Sequence, residues 1–324
     1  MSKIDLKTKI FLKGHKFKIH IVGDDSRAPA LIFVHGGPGI PNRQAVITRL
    51  GKTWAKFCTL VTYDQRGCGG GYYGARAEDM TVEQMVEDLD GIVDYTLSTL
   101  KAEKVFLLCG SWGTVIGINY IHAHPEKVAA YIGSGQMVNG FQNEDISYEF
   151  AMNAAKKAKD EKSIKILESV GPPVRGCYKP VRKGLRMQRQ VLSKYGGSTM
   201  KKSGVITSAL KQLYSREMSV SDKFGALLGY RFSMDTLWEA MIDFDFNRDR
   251  INFDAPLYIL QGRHDYTTPS PLIEPWYNKI SAPVKELVWF EESAHGPLGE
   301  EMEKYTNKIR EIFAAHGPTD SATE

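Results

Sequence analysis

Three residues far apart in the chain are of the types that nucleophilic catalysis requires. Ser111 sits in Cys109-Gly110-Ser111-Trp112-Gly113, Asp265 in QGRHDYTTP and His295 in EESAHGPLGE. A serine hydroxyl attacks well only when a neutral base takes its proton and a carboxylate orients that base. On an open parallel sheet, such groups collect where strands end. Each of the three follows a short apolar run: 105–109, 257–260 and 287–290. Singly, each has an ordinary explanation: a serine capping a helix, an aspartate in a turn before Pro269, one of eight histidines on a surface loop. Jointly, the order Ser, Asp, His on one edge of one predicted sheet is hard to obtain by accident and reads as a triad.

The string G-S-W-G between a strand run and a helical run has the context of a nucleophile elbow, although Cys109 stands where a glycine is usual. Gly110 and Gly113 are expected to permit the sharp turn and close helix packing. His35-Gly-Gly-Pro-Gly39 follows the run 30–34. Its glycines let backbone N–H groups approach a reacting oxygen, and with the N–H of Trp112 they would form an oxyanion hole. His35, inside that glycine run, reads as a structural residue holding the loop. His122 and His124 lack a third ligand nearby and read as helix-end residues.

These groups need a frame. Residues 6–12 and 16–22 alternate with period two around Gly14, which predicts a hairpin. Continuous apolar runs at 30–34, 59–63, 105–109, 128–132, 257–260 and 287–290 suit strands buried on both faces. Helical periodicity lies between them: Thr81 with Gln84 placed as a capping box, 112–122, and a closing helix over 300–313. The alternation predicts an α/β fold with a doubly wound, mostly parallel sheet. It stops over 141–250, which holds helical patterns, the longest at 141–170, and no strand run. The expected organisation is a core of 1–140 and 251–324 with an inserted helical cap of 141–250.

Composition narrows the function. The 324 residues are 42% hydrophobic and 25% charged, which excludes a disordered chain. Lys+Arg 42 against Asp+Glu 38 leaves a net +4, too balanced for a dedicated nucleic-acid partner. The run 175–216 carries eleven Lys or Arg and no acid, and reads first as a solvated face of the insertion. No apolar run is long enough to span a membrane, and the start lacks a secretion signal. Four scattered cysteines with no C-x-x-C pair argue against a disulfide framework or a zinc site, and for a cytoplasmic protein.

HGGPG at 35–39, DQRG at 64–67, GSWG at 110–113 and the Asp265/His295 pair resemble the prolyl aminopeptidase (proline iminopeptidase) group of the α/β-hydrolase superfamily. The resemblance covers roughly 1–140 and 250–315. It implies a serine hydrolase without metal or organic cofactor: Ser111 attacks a carbonyl, His295 serves as base and then acid, Asp265 orients it, and the N–H groups of Gly37 and Trp112 bind the oxyanion. It implies a small-molecule or short-peptide substrate, and an N-terminal proline or similar residue released through an acyl-enzyme. An ester or lactone hydrolase would use the same machinery. An aminopeptidase needs carboxylates facing the serine. Glu144 and Glu239 are the candidates among the insertion's acids, which also include Asp145, Glu149, Glu217, Asp235, Asp243 and Asp245. Phe141, Tyr148, Tyr214, Phe232 and Trp238 could line an apolar slot, with packing of the insertion as their plainer role. Asp64 and Arg66 match the group's pattern and are expected to pair beneath the site.

Overall fold

A computed structural model of the chain describes residues 2–200 and 218–317. Tyr214, Glu217 and the last four cations of the basic run lie outside these residues.

Eight strands form one sheet: β1 (Ile4–Leu12), β2 (His15–Gly23), β3 (Ala30–Val34), β4 (Thr59–Tyr63), β5 (Val105–Gly110), β6 (Val128–Ser134), β7 (Leu257–Gly262) and β8 (Lys285–Phe290). Their spatial order is β1-β2-β4-β3-β5-β6-β7-β8. β1 pairs antiparallel with β2, and β2 antiparallel with β4. Every other neighbour is parallel. All of the expected strands form, because continuous apolar runs bury side chains on both faces. Ile32, Val61, Leu107 and Ile259 face one hydrophobic cluster, while Leu31, Leu60, Leu108 and Leu260 face the other.

Helices α1 (Arg43–Trp54), α2 (Val82–Leu100) and α3 (Trp112–Ala123) connect the early strands. α2 starts at Thr81, whose hydroxyl accepts the Gln84 N–H at 3.1 Å. The Gln84 amide does not close the capping box, because it reaches Asp88 at 3.1 Å instead. α3 is buried almost all round, so its sequence shows no amphipathic stripe. α1 covers the opposite face together with the closing helix, which runs Met302–His316 (α9) and not 300–313.

Between β6 and β7 lie α4 (Gly140–Lys157), α5 (Glu161–Val170), α6 (Val181–Lys194) and α7 (Val220–Ile242). The single long pattern expected over 141–170 is two helices. Lys159 takes a left-handed φ of 53°, and Asp160 caps α5 by accepting the Ser163 N–H at 3.2 Å. α8 (Ile273–Lys279) follows β7. Four cations of the basic run pair with acids inside this insertion: Arg182 meets Asp235 at 2.7 Å, Arg175 meets Asp243 at 3.7 Å, and Lys194 and Arg189 meet Asp160 and Glu144. No helix among the described residues is long and apolar enough to cross a membrane.

Asp64 and Arg66 do not pair. Side chains two apart at a strand end continue the pleat and diverge once the chain turns. Arg66 forms a two-pronged, buried pair with Asp88 at 2.7 and 2.8 Å, tying the loop after β4 to α2. Asp64 accepts from Arg43 at 3.1 Å and from the Gly70 N–H at 2.9 Å. Removing one partner of a buried pair strands the other charge at a cost of about 3–5 kcal/mol. Asp88→Ala is therefore expected to lower stability by about that much in urea titration, and a cost under about 1 kcal/mol would contradict the role given to the pair.

Candidate active site

The parallel strands deliver Ser111, Asp265 and His295 to one rim of the sheet. Ser111 follows β5 directly and caps α3 with φ 51° and ψ −124°. A side chain in that region is strained by about 1–3 kcal/mol, and such strain persists only where the surroundings enforce it. Two contacts enforce it here. The Ser111 N–H donates to the Ser134 carbonyl of β6 at 2.9 Å. A Cβ at Gly113 would lie 2.2 Å from the Val34 carbonyl oxygen, so only glycine lets α3 start against β3. Gly110 is not under the same demand, since a Cβ there would meet open space.

Asp265 is fully buried, and its carboxylate is saturated with donors. Oδ1 accepts the N–H groups of Thr267 and Thr268 at 2.8 and 2.9 Å. Oδ2 accepts from Thr268 Oγ1 at 2.7 Å and Gln261 Nε2 at 3.1 Å, and lies 2.8 Å from His295 Nδ1. A carboxylate only accepts, so His295 Nδ1 is the donor in this bond. The imidazole rests on Gly135, where a Cβ would come within 2.8 Å of the ring. Gly135 follows Ser134, which places the ring beside the serine. Ser111 Oγ and His295 are not hydrogen-bonded in this structure; such contacts often tighten only around substrate.

The HGGPG loop faces the serine. A Cβ at Gly36 would meet Ser111 Cβ at 2.9 Å, and Gly37 has a φ of 139° that favours glycine. Trp112 is the first residue of α3, so its N–H has no partner within the helix. His35 is buried and structural, as expected: Nε2 accepts the Gln65 N–H at 3.2 Å, which leaves Nδ1–H to donate to the Gly36 carbonyl at 2.7 Å. Burial holds the His35 pKa below the ordinary histidine value. Cys68 is buried, and its thiol pKa is pushed well up by burial, so it is no nucleophile.

Two buried amides were not singled out from the sequence. Gln65 donates to the His35 carbonyl at 2.7 Å and accepts from Trp112 Nε1 at 3.1 Å, joining the HGGPG loop to the start of α3. Gln261 holds Asp265 and accepts the Gln136 N–H at 2.9 Å. A polar residue closing an otherwise apolar strand run is the trace that Gln261 leaves in the sequence.

The two candidate carboxylates separate. Glu144, on α4, is buried: Oε1 accepts from Asn143 at 3.1 Å and from Arg189 at 2.5 Å. Asn143 also donates to the Thr267 carbonyl at 2.9 Å, which ties α4 to the Asp265 loop. Glu239, on α7, is exposed instead, and both carboxylates lie near enough to Cys177 to raise its thiol pKa. Tyr148 and Trp238 are buried, the latter donating to the Gly176 carbonyl at 3.4 Å. Phe232 packs edge-on to Tyr72, and Phe141 lies under Arg175. No group of metal-ligating side chains occurs among the described residues.

A mostly parallel eight-stranded sheet flanked by helices, with a strained serine at the end of β5 and an Asp–His pair after β7 and β8, defines an α/β hydrolase. The serine aminopeptidase, S33, family model matches residues 29–302, and the chain belongs to that family. It is 25% identical over 309 residues to a probable aminopeptidase, YbaC, of Bacillus subtilis (strain 168), covering 95% of this chain and 96% of that one. It is 26% identical over 318 residues to the proline iminopeptidase of Clostridioides difficile (strain 630), covering 94% and 96%. The crystal structure of a proline iminopeptidase-related protein from Thermus thermophilus superposes with a TM-score of 0.68 at 20% identity, covering 98% and 99%.

Two predictions follow from this geometry. Ser111→Gly relieves the positive φ while Ser111→Ala keeps it, so the glycine variant is expected to be more stable by about 1 kcal/mol, read as the difference in urea midpoints. The second concerns pH. Burial lowers the pKa of His35, and likewise those of His15 and His20, below the unfolded value near 6.5. The unfolded chain therefore binds more protons, so stability is full above that value and is lost as pH falls below it. The urea midpoint is expected to fall between pH 8 and pH 5, and less steeply in His35→Asn. Equal slopes would show that His35 carries no part of the effect.

Proposed function

We propose that the chain is a serine hydrolase working through an acyl-enzyme, and most specifically an aminopeptidase that releases N-terminal proline or a similar residue from short peptides. Ser111 attacks the carbonyl. His295 takes the proton at Nε2 and returns it to the leaving amine, and Asp265 stabilises the imidazolium between the two transfers. The Gly37 and Trp112 N–H groups receive the oxyanion, and water then releases the acyl group. No metal or organic cofactor has a step in this scheme. The helical insertion, 141–250, serves as the cap over the site, with the two flanking segments as the core. The reading places the protein in the cytoplasm, where its four free thiols stay reduced.

One observation carries the peptidase reading. Glu144 Oε2, Asn143 Oδ1 and Tyr178 OH are buried and find no partner among the described residues. Two of the three only accept, and the tyrosine can do so. Buried acceptors call for a donor, and the ammonium of a free amino terminus supplies three N–H groups. The Asn143–Thr267 bond sets this cluster against the loop of Asp265. Glu144 is thus the preferred amine ligand, and the exposed position of Glu239 gives that residue no support. The relatives named as aminopeptidases point the same way.

A second reading, an ester or lactone hydrolase, is favoured by Arg189. Its guanidinium sits on Glu144 and cancels the charge that would attract an ammonium. Chromogenic prolyl and alanyl amides set against short-acyl phenyl esters separate the two. The peptidase reading expects amide turnover. It also expects Glu144→Gln to raise KM for amides by about ten- to a hundredfold, the worth of a hydrogen bond to a charged group, with ester KM unchanged. Ester turnover without amide turnover overturns it in favour of the second reading. Ser111→Ala is expected to abolish both activities, and survival of either would end the serine mechanism.

A further inference from the structure

Helix α7 of the insertion touches the loop that carries HGGPG. α7 lies across the loops 35–41 and 64–71 at once. A Cβ at Gly225 would stand 2.1 Å from the Gly69 carbonyl oxygen, and one at Gly229 would stand 2.5 Å from that of Gly67. Ser233 Oγ donates to the Gly67 carbonyl at 3.0 Å. These residues are spaced by four, so they form one face of the helix. The same face meets Gly39, where a Cβ would be 2.8 Å from Tyr230 Cα and 2.9 Å from both the Gly229 oxygen and Ser233 Cβ. Helix backbone thus rests on loop backbone with no side chain between them.

The second half of α7 is held by buried Met234, Leu237, Trp238, Met241 and Ile242, whereas the first half, with Phe224, Leu227 and Leu228 exposed, is anchored by a charge cluster at its start. Asp222 lies three residues before Gly225 and is 3% exposed. Its Oδ2 accepts from Arg43 Nη2 at 3.0 Å, and its Oδ1 meets Lys18 Nζ. Arg43 opens α1, four residues beyond Gly39, and its Nε donates to Asp64 at 3.1 Å. Two cations and two carboxylates, drawn from β2, α1, the loop after β4 and α7, therefore close on one another below the HGGPG loop. Losing the Asp222 charge leaves two cations facing a single carboxylate in a buried place, which loosens both α7 and the Arg43 end of the loop.

We propose that Asp222 is a positioning residue for the oxyanion hole: by anchoring α7 to Arg43 and Lys18, it fixes the backbone of the loop that carries the Gly37 N–H. This rests on the reading that the Gly37 N–H receives the oxyanion. The hole acts on the transition state and not on bound substrate, so a shifted loop lowers kcat and leaves KM nearly alone. Removing one oxyanion donor outright costs about a hundred- to a thousandfold, and displacing it should cost less.

The test is Asp222→Asn, assayed on a phenyl ester, with kcat expressed per site titrated by a fluorophosphonate, so that unfolded protein does not count. The expected result is a fall in kcat of about ten- to a hundredfold with KM within threefold. Leu227→Ala, on the exposed side of the same helix, is expected to match the parent. A parental kcat per titrated site in Asp222→Asn overturns the proposal, as does a loss that appears in KM alone. If Asp222→Asn yields no folded protein, Lys18→Met removes one of the two anchoring cations at a less buried position. It is expected to lower kcat two- to tenfold in the same assay, and an unchanged kcat overturns the proposal. Ser111→Ala run in parallel keeps the outcomes apart: its survival would sink the serine reading itself, whereas an inert Ser111→Ala beside a fully active Asp222→Asn sinks only the positioning role.

Discussion

A carboxylate with no exposure to solvent sits at the rim of the sheet, and the site is arranged around the need to satisfy it. An ion taken out of water costs several kcal/mol unless hydrogen bonds replace its hydration. Asp265 obtains them from two backbone N–H groups, a threonine hydroxyl, a glutamine amide and the histidine. The first two come from residues two and three further along, the local turn that aspartate favours. Gln261 comes from the strand itself. Only His295 arrives from another strand, so holding Asp265 and orienting the imidazole are one structural act. The Thr267 carbonyl, freed on the outer side of the same turn, then accepts from Asn143 and brings α4 of the insertion into register with the site.

The features legible in the sequence are those that a single strand or helix decides. Each buried strand shows as an apolar run, and Ser111, Asp265 and His295 each lie a few residues past one. α1 left no comparable trace. Asn42 makes no side-chain cap, the first turn has no acid, and Arg43, Gln44 and Gly51 are among its buried residues, so the apolar period is broken. The roles of Gln65 and Gln261 were hidden for a different reason: an amide's function lies in partners that the fold brings to it. Asp64 and Arg66 show the converse error. Their match to the family's pattern suggested a pair, yet the geometry after a strand sends the two side chains to Arg43 and Asp88.

Charge in the insertion follows the same logic. The acid-free stretch starting at Arg175 looks like a basic surface when read along the chain. In space four of its described cations, Arg175, Arg182, Arg189 and Lys194, face Asp243, Asp235, Glu144 and Asp160, drawn from other helices and loops of the insertion. The exposed pairs add little stability individually. The Arg189–Glu144 pair differs because its carboxylate is buried.

Cys109 illustrates how far a departure from the family's glycine can be absorbed. A thiol at this position adds volume to the elbow. The space comes from α3: a Cβ at Gly117 would lie 2.4 Å from Cys109 Sγ, so the sulfur occupies the room that a side chain on the helix would have taken. Burial pushes the thiol pKa well up, which keeps it protonated and unreactive beside Ser111. The sharpness of the turn does not depend on position 109, because Gly113 against the Val34 carbonyl and the Ser111–Ser134 bond already fix the path of the chain. A larger residue is therefore tolerated before the serine as long as glycine remains at 117, and the two positions act as one volume shared between strand and helix.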